Sequence, residues 1–270
     1  MSENLSKNMP NNDGHYDYSI LLVNYKTLEI TSICLDLIRQ NLDLSKVQVW
    51  VVDNNSADES TAYLRSLDWI NLIERVAEQP ENGFTSHGRA LDLALDKIST
   101  EYVFLFHTDT LLYKPAILEM MLEKCRADAK VVAVGCYEQV YRGTLKTAWR
   151  TTIRFIKHSY RQAKVLLGFK TRPPRGYYEV YLKSFCALWN LKIVKSLGMH
   201  FFMNDRIPGY ELQDKMRALG YKIEDIPAKE IFQYLDHVEA GTVSLKLGYS
   251  EKHRRNKRKK SILKQFESKD

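Results

Sequence analysis

Asp53, Asp109, Glu211, Asp214 and His237 fall where apolar segments begin or end, which is where a folded chain can present charge to a ligand. Asp109 is the most informative. It closes Glu101-Tyr-Val-Phe-Leu-Phe-His-Thr-Asp109, in which a run rich in aromatic and β-branched residues leads into His107 and Thr108. A run of this kind without alternation reads as a strand buried on both faces. Ligands of an open α/β sheet sit beyond the carboxyl ends of its strands, so a carboxylate there can meet a cation or a phosphate. Alone, the same Asp109 would serve equally well to cap a turn. Farther on, Leu212, Met216 and Leu219 form an apolar helical stripe, and Glu211 and Asp214 share another face of that helix. Such a pair suits general-base work, or is simply acid favoured at a helix N-terminus by the dipole.

The elements that must position these groups alternate at short intervals. Strands are expected over Tyr18 to Asn24, Val47 to Asp53, Ile70 to Val76, Tyr102 to Phe106 and Val131 to Gly135. Helices are expected over Leu28 to Leu42, Ser60 to Ser66 and His87 to Lys97, and again after Pro115, a favoured first-turn residue. Asn82-Gly83 breaks the chain before the third helix. Strands separated by helices imply an α/β fold with a mainly parallel sheet covered on both faces. Beyond Cys136 the reading is one or two strands over Tyr177 to Trp189, a short helix to Leu197, the helix from Glu211 to Leu219 closed by Gly220, and a strand from Lys222 to Ile226.

With 270 residues, 44% of them apolar, the chain can bury a full core. No apolar run approaches the ~20 residues of a membrane span. The polar N-terminus reads as a disordered leader over residues 1–16, without the apolar core of a signal peptide. Cys34, Cys125, Cys136 and Cys186 have no paired spacing, so neither zinc nor a disulfide framework is suggested, and a reducing cytoplasm is the simplest home. The formal charge of +7 is uneven. No acid lies between Glu138 and Glu179, where Arg142, Lys146, Arg150, Arg154, Lys157, Arg161, Lys164, Lys170, Arg172 and Arg175 gather. A second basic block runs from Lys252 to Lys260 in a tail over residues 250–270. Such clustering points to an anionic surface, phospholipid or nucleic acid, or to solubility alone. From Arg150 to Leu167, Ile153, Ile156, Tyr160 and Leu167 recur at near-helical spacing among the basic residues, which suits a helix lying in a membrane interface.

Taken in order, these motifs resemble the nucleotide-sugar-dependent glycosyltransferases of the GT-A fold, in particular the inverting family two. The resemblance starts at Ser19-Ile-Leu-Leu-Val-Asn-Tyr25 and continues through Val51-Val-Asp-Asn-Asn-Ser56, Asn82-Gly83 and His87-Gly88-Arg-Ala-Leu-Asp92. His107-Thr-Asp109 stands in the place of the family's DxD motif, and the segment from Glu211 to Gly220-Tyr221 matches its acidic helix start and closing Gly-Tyr. The resemblance implies a domain over residues 17–249, with a nucleotide-sugar half to about 136 and an acceptor half beyond. It implies a nucleotide-sugar site at Asn24, Asp53, Asn82, Gly83, His87, Gly88, His107, Thr108 and Asp109. Asp53 would read the N3 proton of a uracil or thymine base, although an Asx-turn before Asn54 accounts for it as well. Asp109, with His237 and His107, would hold a divalent cation, Mg2+ or Mn2+, against the donor diphosphate. Glu211 or Asp214 would act as the general base.

Two departures matter. The family usually has an acid where His107 stands, and two adjacent acids where Gly209-Tyr210 precede a single Glu211. Rival enzymes fit worse. Nucleotidyl transfer and dehydrogenation both need a glycine-rich phosphate loop, and Asn24-Tyr-Lys-Thr-Leu28 after the first strand has no glycine. A basic RNA- or membrane-binding protein on a nucleotide-binding fold is the non-enzymatic alternative, but the basic runs carry no recognisable nucleic-acid motif. The expectation is therefore an inverting transferase moving a UDP- or dTDP-linked sugar to a glycan or lipid-linked acceptor in capsule or lipopolysaccharide synthesis. It would dock on the inner face of the cytoplasmic membrane through its basic segments, with no nucleic-acid partner.

Overall fold

Alternating side chains along β1 (Tyr18–Asn24) divide the core in two: Ile20 and Leu22 enter one apolar cluster, Leu21 the other, and all three are fully buried. The structure, a computed structural model, describes residues 16–169, 176, 178–239, 261, 264 and 266. The expected leader through residue 15, the block at 252–260 and Lys170, Arg172 and Arg175 lie outside these. Strands β2 (Val47–Asn54) and β4 (Tyr102–His107) flank β1 in parallel, and β3 (Asn71–Arg75) adds to β2 in parallel. Strand β7 (Cys186–Asn190) runs antiparallel to both β4 and β6 (Val131–Gly135), and β8 (Lys222–Asp225) lies parallel to β6. Among the described residues these seven strands make one sheet in the order β3-β2-β1-β4-β7-β6-β8.

Helices α1 (Leu28–Asn41), α2 (Glu59–Ser66) and α4 (Ala116–Ala127) pack on the face of Ile20 and Phe104. Helices α3 (Gly83–Leu95), α6 (Leu191–Ser196) and α7 (Tyr210–Ala218) cover the face of Leu21 and Val103. The α/β class and the mostly parallel, two-sided sheet are thus as expected. Two short strands, β5 (Thr110–Leu112) and β9 (Leu235–His237), pair antiparallel in a separate small sheet. Helix α8 (Ala228–Ile231) leads into β9. Helix α5 (Thr144–Leu166) carries the basic segment and buries none of its residues. No described helix is long and apolar enough to cross a membrane, and all four cysteines are buried and free.

Several local expectations change, each for a visible reason. Helix α3 starts at Gly83 rather than near His87, because the Asn82 side chain accepts from the backbone N–H groups of Phe84 and Thr85 and caps it. Among the described residues of the expected Tyr177 to Trp189 strand region, only those from Cys186 onward join the sheet, in β7. Ahead of it, the Gln213 amide takes the place of a neighbouring strand, accepting from Leu182 N at 2.8 Å and donating to Leu182 O at 3.3 Å. Leu219 leaves the apolar stripe and is 56% exposed, since α7 closes at Ala218 before the left-handed Gly220. Near the C-terminus, Phe266 packs against the main core.

One close approach sets the segment leading into α7. A Cβ on Gly88 would sit 2.6 Å from that of Phe202, so the α3 backbone bears directly on this ring. Asp92, one turn along, accepts from Phe201 N at 2.7 Å and Phe202 N at 3.1 Å. The two contacts fasten the 201–209 segment to the sheet's second face.

Candidate functional site

Strand β4 ends on His107, and the chain turns through Thr108 and Asp109 into β5. The pairing of Thr110 with His237, and a hydrogen bond from Val238 N to Asp109 O at 3.0 Å, bring β9 alongside that turn. Three side chains converge as a result. His237 Nε2 lies 3.3 Å from His107 Nδ1 and 3.3 Å from Asp109 Oδ1, and His107 Nδ1 lies 3.9 Å from Asp109 Oδ1. The outer nitrogens are occupied: His107 Nε2 meets Ser184 Oγ at 2.8 Å, and His237 Nδ1–H donates to the Gln139 carbonyl at 2.9 Å. Because a carbonyl only accepts, the proton of a neutral His237 sits on Nδ1 and its Nε2 lone pair faces inward. The Phe185 ring stacks on His237 with centroids 4.9 Å apart and fixes its plane.

Electrostatics follow from burial. Asp109 and His237 side chains are 5% and 4% exposed, while His107 keeps 28%. Desolvation, then the neighbouring His237, pushes His107 down to about 3 against the pull of Asp109. Burial likewise depresses His237, but Asp109's charge and hydrogen bond, with the Gln139 carbonyl, outweigh it and hold His237 above the ordinary histidine value. His87, edge-on to His107 at 5.9 Å between centroids, is pushed down to about 4 by burial alone. Its Nε2 finds no hydrogen-bond partner among the described residues.

The ligand atoms of His107, Asp109 and His237 all lie within 4.8 Å of one another, and together they can hold a metal ion. Ligands about 2.1 Å from one ion and near right angles to each other are about 3 Å apart, so the observed spacing suits a single divalent cation. A hard or borderline cation is also what this donor chemistry asks for, since an anionic carboxylate in so dry a place needs a counter-charge.

The neighbouring wall, at the carboxyl ends of β1 and β2, is a closed polar network. Asn24 Nδ2 donates to Asp53 Oδ1 at 3.0 Å, Ser60 Oγ at 2.9 Å and Ser56 Oγ at 3.2 Å, while its Oδ1 accepts from Thr27 at 3.1 Å and Thr31 at 3.0 Å. Asp53 is 3% exposed and accepts also from Ser56, and from Thr61 at 2.6 Å. Thr108 reaches the same cluster, 3.4 Å from Thr27. In front of it opens a depression of about 640 Å³ lined by Lys26, Thr27, Leu28, Glu29, Asp58, Glu59 and Ser60. Of the residues expected at a nucleotide, Asn24, Asp53, His107, Thr108 and Asp109 cluster along these strand ends, with His87 beside His107. Asn82 and Gly83 open α3, and Gly88 packs on Phe202.

Glu211 and Asp214 share a face of α7 and one arginine. Arg206 Nη1 donates to Glu211 Oε2 at 2.6 Å and to Asp214 Oδ2 at 2.8 Å. Asn204 donates to Glu211 Oε1 at 3.1 Å, and Tyr181 Oη to Asp214 Oδ2 at 2.9 Å. Sequence reasoning missed Arg206, Tyr181 and Ser184, as well as the Gln139 carbonyl. All lie outside helices and strands in the structure; Tyr181 and Ser184 fall in a stretch that reads as strand, and only the acid-free stretch after Glu138 marked the neighbourhood of Gln139.

Residues 19–187 match the family described as Glycosyl transferase family 2. Glu211, Asp214 and His237 lie beyond the matched segment. No curated protein sequence matches the chain. Solved structures share its fold at low identity. The Pyrobaculum calidifontis mannosyltransferase PcManGT, solved with GDP-Man and Mn2+, is 17% identical with a TM-score of 0.54, over 82% of this chain and 57% of that one. S. aureus TarS 1-349 is 13% identical with a TM-score of 0.50, over 78% and 58%. Mycobacterium tuberculosis glucosyl-3-phosphoglycerate synthase, solved with Mn2+, UDP and glucosyl-3-phosphoglycerate, is 16% identical with a TM-score of 0.53, over 83% and 76%. The matched part therefore spans just over half the length of the first two.

The buried network gives a direct test of how the strand ends are held. Asn24→Leu should destabilise the chain by at least ~2 kcal/mol in chemical denaturation, because it strands buried donors and acceptors on Asp53, Ser60 and Thr31. A loss under ~0.5 kcal/mol, the usual range for a neutral surface change, would show that the network is not closed.

Proposed function

The chain belongs to glycosyl transferase family 2 and has the GT-A fold, and on that premise we propose that it transfers a sugar from a nucleoside-diphosphate sugar to an acceptor hydroxyl with inversion. The observation that carries this reading is the convergence of His107, Asp109 and His237 beyond the carboxyl end of β4. A divalent cation held there, Mg2+ or Mn2+, supplies positive charge against a diphosphate leaving group. The solved PcManGT and the mycobacterial synthase each hold Mn2+ with a nucleotide or nucleotide sugar, which supports the assignment. The depression before Thr27 and Ser60 is the proposed seat of the nucleoside of a UDP- or dTDP-linked donor, with the buried Asn24 and Asp53 bracing its wall from behind. Residues to about 136 would form the nucleotide-sugar half and those to 249 the acceptor half.

Glu211 is the proposed general base. The acceptor oxygen attacks the anomeric carbon, the bond from that carbon to the diphosphate breaks, and the acceptor's proton passes to the carboxylate. Arg206 and Asn204 hold Glu211 in a fixed orientation, which is what a base needs to meet one particular hydroxyl. Asp214, bound to the same arginine, is the alternative base.

The proposed acceptor is lipid-linked or a growing glycan of a surface polysaccharide, capsule or lipopolysaccharide, met on the inner face of the cytoplasmic membrane. Support comes from α5, whose apolar side faces outward: Leu145, Trp149, Ile156 and Tyr160 are all more than half exposed. Arg150 and Arg154 turn toward the body, 3.8 Å from Glu138 and 2.9 Å from Glu179, while Lys146 and Lys157 stay exposed. An outward apolar stripe rimmed by lysine and arginine suits the interface of an anionic bilayer.

Incubation with a panel of nucleotide sugars and acceptors should give transfer that chelator abolishes and that Asp109→Ala lacks. Glu211→Gln should lower turnover by ~10²-fold or more with donor binding nearly unchanged. If Asp214→Asn does the damage instead, the base lies one turn along, and no transfer or donor hydrolysis under any condition would sink the enzymatic reading.

Docking is tested separately. The full-length chain should bind anionic vesicles at low salt, lose that binding at high salt, and show Trp149 fluorescence quenched by brominated acyl chains. Indifference to anionic vesicles at low salt would remove the membrane from the account.

A further inference from the structure

His107 changes the donor chemistry of the cation site. With Asp109 and His237 it gives two imidazole nitrogens and one carboxylate oxygen, where an acid in its place would leave two oxygens and one nitrogen. Imidazole favours borderline transition-metal ions, whereas magnesium seeks oxygen ligands and keeps its water. Preorganisation of the rings is already built in. Ser184 Oγ at 2.8 Å from His107 Nε2 and the Gln139 carbonyl at 2.9 Å from His237 Nδ1 occupy the outward nitrogens, so the inward ones, 3.3 Å apart, face the same point. Phe185 stacked on His237 and the β5–β9 pairing hold that ring in place.

We propose that His107 makes this a resident three-ligand site, which takes a divalent transition-metal ion of the Mn2+, Co2+ or Zn2+ class before any nucleotide arrives and discriminates against Mg2+. The inference deepens the proposed function of the same site and rests on it for what the ion does there. Three protein ligands are one short of a closed structural zinc centre, so the ion keeps open positions for other oxygen ligands. Ser184 is a positioning residue in this scheme, since it reaches the ion only through the His107 ring.

The test titrates the chelator-treated full-length chain with Co2+, Mn2+, Zn2+ and Mg2+, without nucleotide, read by calorimetry and by the visible absorption of bound Co2+. The expected result is one ion per chain, with Co2+ and Zn2+ bound more tightly than Mn2+ and all three far more tightly than Mg2+. His107→Asp should close the gap between Co2+ and Mg2+ by ~10-fold or more, and Ser184→Ala should weaken Co2+ binding by ~10–100-fold. Ser184→Ala keeps the question open to measurement if His107→Asp does not fold. Equal affinity for Mg2+ and Co2+, or a ratio unmoved by His107→Asp, would overturn the proposal. Binding of ions only after UDP is added would overturn the resident site while leaving the transferase reading intact. No ion with or without UDP would remove both.

Discussion

A carboxylate held almost out of water beside two imidazoles is the constraint that the rest of this structure serves. Asp109 carries charge that burial penalises, and its environment must return that cost through a proton or a cation. The large sheet brings His107 and Asp109 to the carboxyl end of β4, but it does not supply the third group of the cluster. The small β5–β9 sheet does, by pairing Thr110 with His237, far apart in sequence, and tying Val238 N to Asp109 O. Seen this way, two strands of three residues each are a device for delivering one imidazole.

The same economy appears on either side of the triad. Asn24 gathers Asp53, Ser56, Ser60, Thr27 and Thr31 into one hydrogen-bonded knot, so the loops after β1 and β2 are shaped from behind rather than by the surface they present. On α7 Arg206 bridges Glu211 and Asp214, and the segment that carries it is pinned by Gly88 against Phe202 and by Asp92 on two backbone N–H groups. A buried scaffold thus sets a metal-ligand cluster, a depression of about 640 Å³ and a paired-acid face, each from different elements.

Much of this was legible in the sequence where a periodic or compositional signal existed. Strands such as Val131–Gly135 are apolar without alternation because both faces are covered, and the run alone announces that. Asp109 and the Glu211/Asp214 pair were visible from their places at element ends. The small sheet was not, because three-residue strands carry no period. Asn82-Gly83 read as a break because capping is decided by one side chain reaching two N–H groups, which composition does not reveal. The oddity of a histidine at position 107 was plain in the sequence, but its meaning came only with Ser184 and His237 placed on its two nitrogens.

The central claim is that His107, Asp109 and His237 jointly hold one cation at the strand end. The most direct measurement is anomalous diffraction from crystals soaked with Mn2+ and UDP. The account predicts a single peak about 2.0–2.3 Å from His107 Nδ1, an Asp109 carboxylate oxygen and His237 Nε2, with diphosphate oxygens completing the shell. A peak bound to other residues, or one that His107 and His237 both leave uncoordinated, would contradict it.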